Sequence, residues 1–294
     1  MAHGSAPRAC GVVTALCGLL LSGCTGGSGH ATGTATPKAT ASSNTGTART
    51  GSPRSRALVS RTDPAKVPRT PAQARALLEK VVAGPELFGP HVVRATPFER
   101  DPDRWVYLGD DCAWRQEALP KDVLATATWR YEEPAADGKG SVRLQISVGV
   151  HRTALDAAWA QARMLEEGLG CGEQLLRPGE RLTGLNSSGI LLGERGNDAY
   201  DDWLIEDGEC VSDTRGGPYP YAWYQATLGP VVIGVSGCGG RGRTDDDVHD
   251  PVSSVQSKMA IRVQQAIGWE AVPATGSASS SASASVSPSV KEGS

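Results

Sequence analysis

No apolar run in this 294-residue chain is long enough to cross a bilayer. The nearest, Gly11 to Leu21, has 11 residues where a spanning helix needs about 20. Closely spaced cysteine pairs are missing too. Cys112, Cys171, Cys210 and Cys238 stand 59, 39 and 28 residues apart, which argues against a thiolate zinc site. The sequence holds no G-x-S-x-G, S-x-x-K or H-E-x-x-H, so the common hydrolase signatures are absent, although a triad drawn from distant residues would leave no local pattern. Positive charge is scarce where a nucleic-acid domain needs it. Residues 70–272 carry 20 Lys and Arg against 30 Asp and Glu, a net of −10, which would repel phosphate and excludes nucleic acid as a partner. No metal or other cofactor is expected.

What is present begins with Arg8, the short apolar run and then Leu21-Ser22-Gly23-Cys24. Small residues ending in Cys after a charged start and a short apolar stretch form a bacterial lipoprotein signal. Residues 1–24 are therefore read as a signal peptide with Cys24 as the lipidation site. Acyl chains there, at about 0.8 kcal/mol per buried methylene, would hold the protein to the extracytoplasmic face of the cell membrane. Residues 25–69 are rich in Gly, Ser, Thr, Ala and Pro, and seven Lys and Arg against Asp63 leave them at +6. Such a segment cannot bury enough apolar surface to fold and is expected to be a disordered basic linker. Residues 273–294 form a Ser- and Ala-rich tail of the same character. A single domain spans 70–272.

Within that domain Thr70-Pro71-Ala72-Gln73 reads as a capped helix start, followed by Ala74, Leu77, Leu78, Val81 and Val82 at helical spacing. Residues 85–120 read as irregular, with Trp105 and Tyr107 in a short strand. Apolar residues then alternate along Val123, Ala125, Ala127, Trp129, Tyr131 and again along Val142, Leu144, Ile146, Val148, Val150, the pattern of an antiparallel hairpin with one buried face. Thr153 caps a second helix expected to turn Leu155, Ala158, Trp159, Ala162 and Leu165 inward. Strands are expected near 181–184, 189–194, 203–206, 219–228 and 231–236, and Asp250-Pro251 opens a closing helix that stops at Gly268. The fold class is α+β: an antiparallel sheet with about three helices packed on one face and two disulfides. Four extracytoplasmic cysteines allow three pairings. The order of elements favours Cys112 with Cys171, across the hairpin and its helix, and Cys210 with Cys238, flanking the late hairpin.

Few side chains point to chemistry. Gly237 to Gly242 fits G-x-G-x-x-G, but no helix follows and the surroundings are antiparallel, so it reads as a Gly-rich loop. Asp245, Asp246, Asp247, His249 and Asp250 offer ligands for a divalent ion without EF-hand spacing, and read as a solvated acidic loop ending in a helix cap. Asp198, Asp201 and Asp202 beside Asn197 read as a turn. His151 falls opposite the core set of its strand and is expected on the surface. Tyr219, Tyr221 and Trp223 share one strand face while Ala222, Tyr224, Ala226 and Leu228 share the other. If the second set is core, the first is an aromatic strip facing a cleft or partner; if the sheet is covered twice, the strip is core as well.

From Val123 to Val263 the layout resembles the extracellular sensor domain of PknH-type actinobacterial receptor kinases and the lipoproteins that share it. The hairpin, the helix from Thr153 to Gly168 delivering Cys171, the late hairpin ending at Ser236-Gly237-Cys238, and the closing helix carry the likeness. It implies an α+β fold with two disulfides and a ligand-binding cleft, and transfers no site residues. The function expected is a lipid-anchored, non-catalytic ligand-binding or sensing domain at the cell envelope. The membrane through Cys24, a small molecule, glycan or lipid, and another envelope protein are the partners it suggests. An envelope hydrolase is the alternative, with His151, His249 and Ser236 as the residues to test.

Overall fold

The computed structural model describes residues 58–274. The signal segment with Cys24, the linker up to residue 57 and the tail beyond 274 lie outside the described residues. In chain order these residues form β1 (Leu58–Arg61), α1 (Pro71–Val81), a 3-10 turn (Pro85–Leu87), β2 (Val93–Glu99), β3 (Arg104–Leu108), β4 (Trp114–Ala118), β5 (Val123–Glu133), β6 (Val142–His151), α2 (Ala154–Gly170), β7 (Gln174–Arg177), β8 (Glu180–Leu191), β9 (Asp202–Ser212), β10 (Gly216–Leu228), β11 (Val231–Cys238), α3 (Asp246–Ile267) and β12 (Glu270–Pro273). Eight of the strands make one antiparallel sheet in the order β2-β5-β6-β11-β10-β9-β8-β7; β3 and β4 form a separate hairpin, and β1 pairs with β12. The fold is α+β with three helices on the sheet, as the sequence indicates.

The alternating runs in β5 and β6 pair in register, Ala127 opposite Val148 and Trp129 opposite Ile146, so the alternating apolar side chains from Ala125 to Tyr131 and from Val142 to Val150 fall on one face. A bulge between Val123 and Ala125 overturns the reading at the start of β5: Val123 stands opposite His151 on the cavity side, and Leu124 enters the core in its place. Ala222, Ala226, Leu228, Val231, Ile233 and Val235 extend that face through β10 and β11. α1 and α3 cover it. Thr70 caps α1 by accepting from the Gln73 N–H, and Ala74, Leu77, Leu78 and Val81 are its buried stripe. On α3, Val248, Val252, Val255, Met259, Val263 and Ile267 are fully buried, each contributing roughly 1.5–3 kcal/mol of gross burial energy.

Strand β8 runs unbroken from Glu180 to Leu191 where two strands were expected. Four further features differ from the sequence reading. The closing helix begins at Asp246, a turn before Asp250, with Pro251 inside it. Its start signal is a reciprocal pair: the Asp247 N–H donates to Thr244 Oγ1 and the Thr244 N–H donates to Asp247 Oδ2. Asp250 is thus a helical residue, not a cap. The described order begins at Leu58 and not at Thr70, because β1 finds a partner in β12, more than 200 residues away and invisible to local pattern. Residues 85–120 contain three strands where one was expected.

The fourth difference matters most. α2 lies on the opposite face of the sheet from α1 and α3, so both faces are covered. Its buried positions are Ala157, Gln161 and Gly168, whereas Leu155 and Trp159, expected inward, are each 65% exposed. The sheet beneath α2 is polar, and the helix meets it through Gln161, which accepts from Gln225 Nε2 at 2.9 Å, and through Gly168, where a Cβ would come within 2.8 Å of Ser187 Oγ.

The sheet also curls toward α2. Arg143 on β6 and Glu180 on β8 are four strand spacings apart, about 19 Å in a flat sheet. They nevertheless form a 2.8 Å ion pair across that face. Two disulfides hold this arrangement. Cys210–Cys238 joins β9 to β11 over the intervening β10, with a Cα separation of 6.1 Å. Cys112–Cys171 ties the loop between β3 and β4 to the end of α2. Replacing Cys210 and Cys238 by Ser should cost roughly 3–4 kcal/mol of stability, by loop-closure entropy, in non-reducing urea unfolding. Cys112→Ser with Cys171→Ser should in addition accelerate limited proteolysis between residues 104 and 118, because the β3–β4 hairpin loses its tether.

Candidate functional site

Between the curled sheet, α2 and the β3–β4 hairpin lies a cavity of about 850 Å³. Its floor is the side of the sheet that the core does not use. Along β6 this side presents Arg143, Gln145, Ser147, Gly149 and His151, a row about 26 Å long at 3.3 Å per residue. Cross-strand register places Arg130 beside Gln145, Gln145 beside Ser236, and Ser236 beside Trp223. Glycine at 234 has a steric reason: a Cβ there would lie 2.6 Å from Ser147 Oγ and 2.9 Å from Trp223 Nε1. The floor is therefore a field of hydroxyls, amides and one imidazole with arginines at one end.

The walls are aromatic. Trp114 meets Trp223 edge-on with ring centroids 5.9 Å apart, and its Nε1–H donates to the buried Gln174 Oε1 at 2.8 Å. Trp105 meets His151 edge-on at 5.8 Å. Trp159 and Arg163 on α2, with Arg104 and Gln116 on the hairpin, are among the exposed residues at the rim.

The aromatic strip divides. Its opposite set, Ala222, Ala226 and Leu228, is buried in the main core, so the strip faces the cavity side. Tyr221 and Trp223 line the cavity and are 7% and 9% exposed. Tyr221 also reaches Glu206 Oε1 at 3.5 Å, and burial first of all raises the Glu206 carboxyl while the Ser187 hydroxyl, at 2.8 Å, opposes that shift. Tyr219 is not a lining residue. It packs beside Cys210 and Tyr221 in a second small cluster, with its hydroxyl donating to the Arg215 carbonyl at 3.0 Å.

His151 is not on the surface. It is fully buried, and neither ring nitrogen has a hydrogen-bond partner among the described residues, the nearest carboxylate oxygen being Asp122 Oδ2 at 3.8 Å. Burial lowers its pKa, with Asp122 opposing, so the imidazole is neutral at neutral pH. The β3–β4 hairpin buries it, and no period-two pattern foretells that. His249 lies on the other face of the sheet, 3.2 Å from the Tyr224 hydroxyl. Ser236 sits six residues along the strands from the level of His151, about 20 Å away. The three residues considered for hydrolysis are thus not brought together.

Asp247 bonds to Lys139 at 2.9 Å and to Thr244, so the acidic run around it forms a helix start. Among the described residues no group of three His, Cys, Asp or Glu is placed to hold a metal. Asn197 caps its turn through the Ala199 and Tyr200 N–H groups, and Asp201 accepts from Gly229 N–H and Trp269 Nε1. Gly237 and Gly240 in the Gly-rich stretch allow close approach of α3 and of the Gly140–Ser141 backbone. No protein-family model matches this sequence, and no curated protein matches it.

Glu167 on α2 is the most strongly shifted carboxyl lining the cavity. Burial pushes it up to about 7, against the pull of Arg163 and the Leu108 N–H. An unfolded glutamate ionises near 4.5. Between these values the folded state keeps a proton that the unfolded state has lost, so this group's contribution to stability is present below about 4.5 and is lost as pH rises to 7. Glu167→Gln should remove that slope. Urea unfolding across this range should show the variant gaining on the wild type up to about pH 7, with no further change above it.

Proposed function

We propose that this chain is a lipid-anchored, extracytoplasmic module that binds a ligand in the cavity between its sheet and α2, without catalysing its conversion. The cavity carries the proposal: about 850 Å³, within the range of drug-sized ligand sites, with aromatic walls and a hydrogen-bonding floor. Three observations support binding over packing. Trp223 and Tyr221 are held rigidly by Trp114 and Glu206 and lie against the cavity. Among the described residues the His151 nitrogens have no hydrogen-bond partner. α2 meets the sheet over Gln161 and Gly168 while Leu155 and Trp159, the latter at the cavity rim, are each 65% exposed and do not fill the space beneath. The likeness of the element order to PknH-type sensor domains supports the same reading, since those domains present a cleft. A small molecule, glycan or lipid suits the cavity.

Thermal-shift screening of the soluble domain against wall fragments, glycans and lipids should find at least one class that raises Tm. Gly149→Leu is the control. A Cβ at Gly149 meets only ordinary contacts, 3.5 Å from Trp105 and 3.6 Å from His151, so a larger side chain there enters the cavity. The variant should keep its own Tm within a few degrees and lose the ligand-induced shift; a shift that survives would place the ligand elsewhere. The anchor is tested separately. Cys24→Ala should move the full-length protein from the membrane fraction to the soluble one, and retention in the membrane would overturn the lipoprotein reading.

A further inference from the structure

We propose that the arginine end of the cavity is an anion subsite and that the ligand is an organic acid, a carboxylate or phosphate carried on an apolar or ring-bearing body. This rests on the binding-module reading and adds ligand chemistry to it. Four guanidiniums line that end, from Arg100, Arg130, Arg143 and Arg177, against the carboxylates of Glu132 and Glu180, an excess of two positive charges. Glu180 is shared: it bonds Arg143 at 2.8 Å and Arg177 at 2.7 Å. Nothing equivalent serves the other two. Among the described residues neither Arg100 nor Arg130 has an ion-pair partner or a side-chain hydrogen bond, and the Arg130 Nε is buried without an acceptor. The backbone fixes them as neighbours, since the Arg100 N–H donates to the Thr128 carbonyl at 3.0 Å, two residues from Arg130 on the same side of β5. Burial lowers the Arg100 pKa, and Arg130 and Arg177 lower it further by repulsion.

Two like charges held together and partly desolvated are costly unless an anion joins them. The guanidinium fork accepts a carboxylate or phosphate in a bidentate fashion, which a neutral sugar or a cation cannot replace. The body of such a ligand has a wall to lie on. Trp114, Trp223, Met164 and Leu176 form an apolar face along the cavity from the arginine end. The protein as a whole repels anions, with a net charge of −3, so a preference for an acid must come from this local excess.

Two fluorescent probes that differ by one acid group give the test. Anilinonaphthalene sulfonate is phenylnaphthylamine with an added sulfonate, and both report entry into an apolar site. The folded wild type should bind the sulfonate at least about tenfold more tightly, the effect of one or two charge-assisted hydrogen bonds. Arg100→Gln with Arg130→Gln should abolish that preference while leaving the neutral probe's affinity unchanged, circular dichroism confirming the fold. Laurate and dodecyl phosphate, as competitors, tell a carboxylate source from a phosphate source, and inorganic phosphate alone should not displace the probe. Equal affinity for both probes, a preference untouched by the double substitution, or no displacement by either amphiphile would overturn the anion subsite, yet leave the cavity reading standing if the neutral probe binds. Failure of both probes would overturn that reading too.

Discussion

Two-residue alternation across eight antiparallel strands is the constraint on which the rest depends. Each strand must send one set of side chains to each face, and β5, β6, β10 and β11 devote one whole set to Val, Ile, Leu, Ala and aromatic residues. That face is satisfied by α1 and α3. The other set then has to be something else, and here it is Arg143, Gln145, Ser147, Gly149 and His151 on β6, with Tyr221, Trp223 and Gln225 on β10. An apolar helix laid flat on this surface would bury amides and hydroxyls at a loss. α2 instead rests on the sheet through a glutamine pair and a glycine, and the hairpin β3–β4 covers the remaining area at a distance. A cavity follows from the mismatch between a polar sheet face and its roof.

Curvature turns that mismatch into an enclosure. The Arg143–Glu180 pair and the Cys210–Cys238 bridge both span strands that are not neighbours, and both pull the sheet toward the polar side. Cys112–Cys171 secures the roof to α2, and Trp114 secures it to Gln174 on β7. The staples sit around the cavity and not in the main core, which already holds the fully buried stripe of α3. Small domains commonly use disulfides to replace missing core. In this chain they stabilise the part of the fold that encloses space.

How much of this is legible in the sequence depends on whether a feature is local. Strands β5, β6, β10 and β11 can be read because alternation is a property of the strand itself, and the disulfide pairing follows from their order. The face of α2 cannot. Leu155, Ala158, Trp159, Ala162 and Leu165 do form an apolar stripe at helical spacing, but the helix is not packed on the apolar side of the sheet, so Leu155 and Trp159 stay outside. Tertiary context overrode amphipathicity. β1 is equally hidden, since four residues within a Gly- and Ser-rich region become a strand only because β12 returns beside them. Of the site, the division of β10 into an aromatic face and a core face was readable; the buried His151, the carboxyl of Glu167 and the pairing of Arg100 with Arg130 depend on the roof and on a β2–β5 contact that no local spacing encodes.

Charge in this protein is arranged at two ranges that act independently. The segment 70–272 carries −10, spread mostly over exposed side chains, and at physiological salt such charges are felt over about 8 Å. An acid group bound at the arginine end would meet Arg100 and Arg130 where the dielectric is lower and screening weaker. The outer field therefore disfavours large polyanions, whose many charges must approach the acidic surface together. It does little to a single acid group already within the walls. With the proposed subsite, nucleic acid would be repelled on approach, whereas a small monoanion would be held by Arg100 and Arg130, which have no ion-pair partner among the described residues.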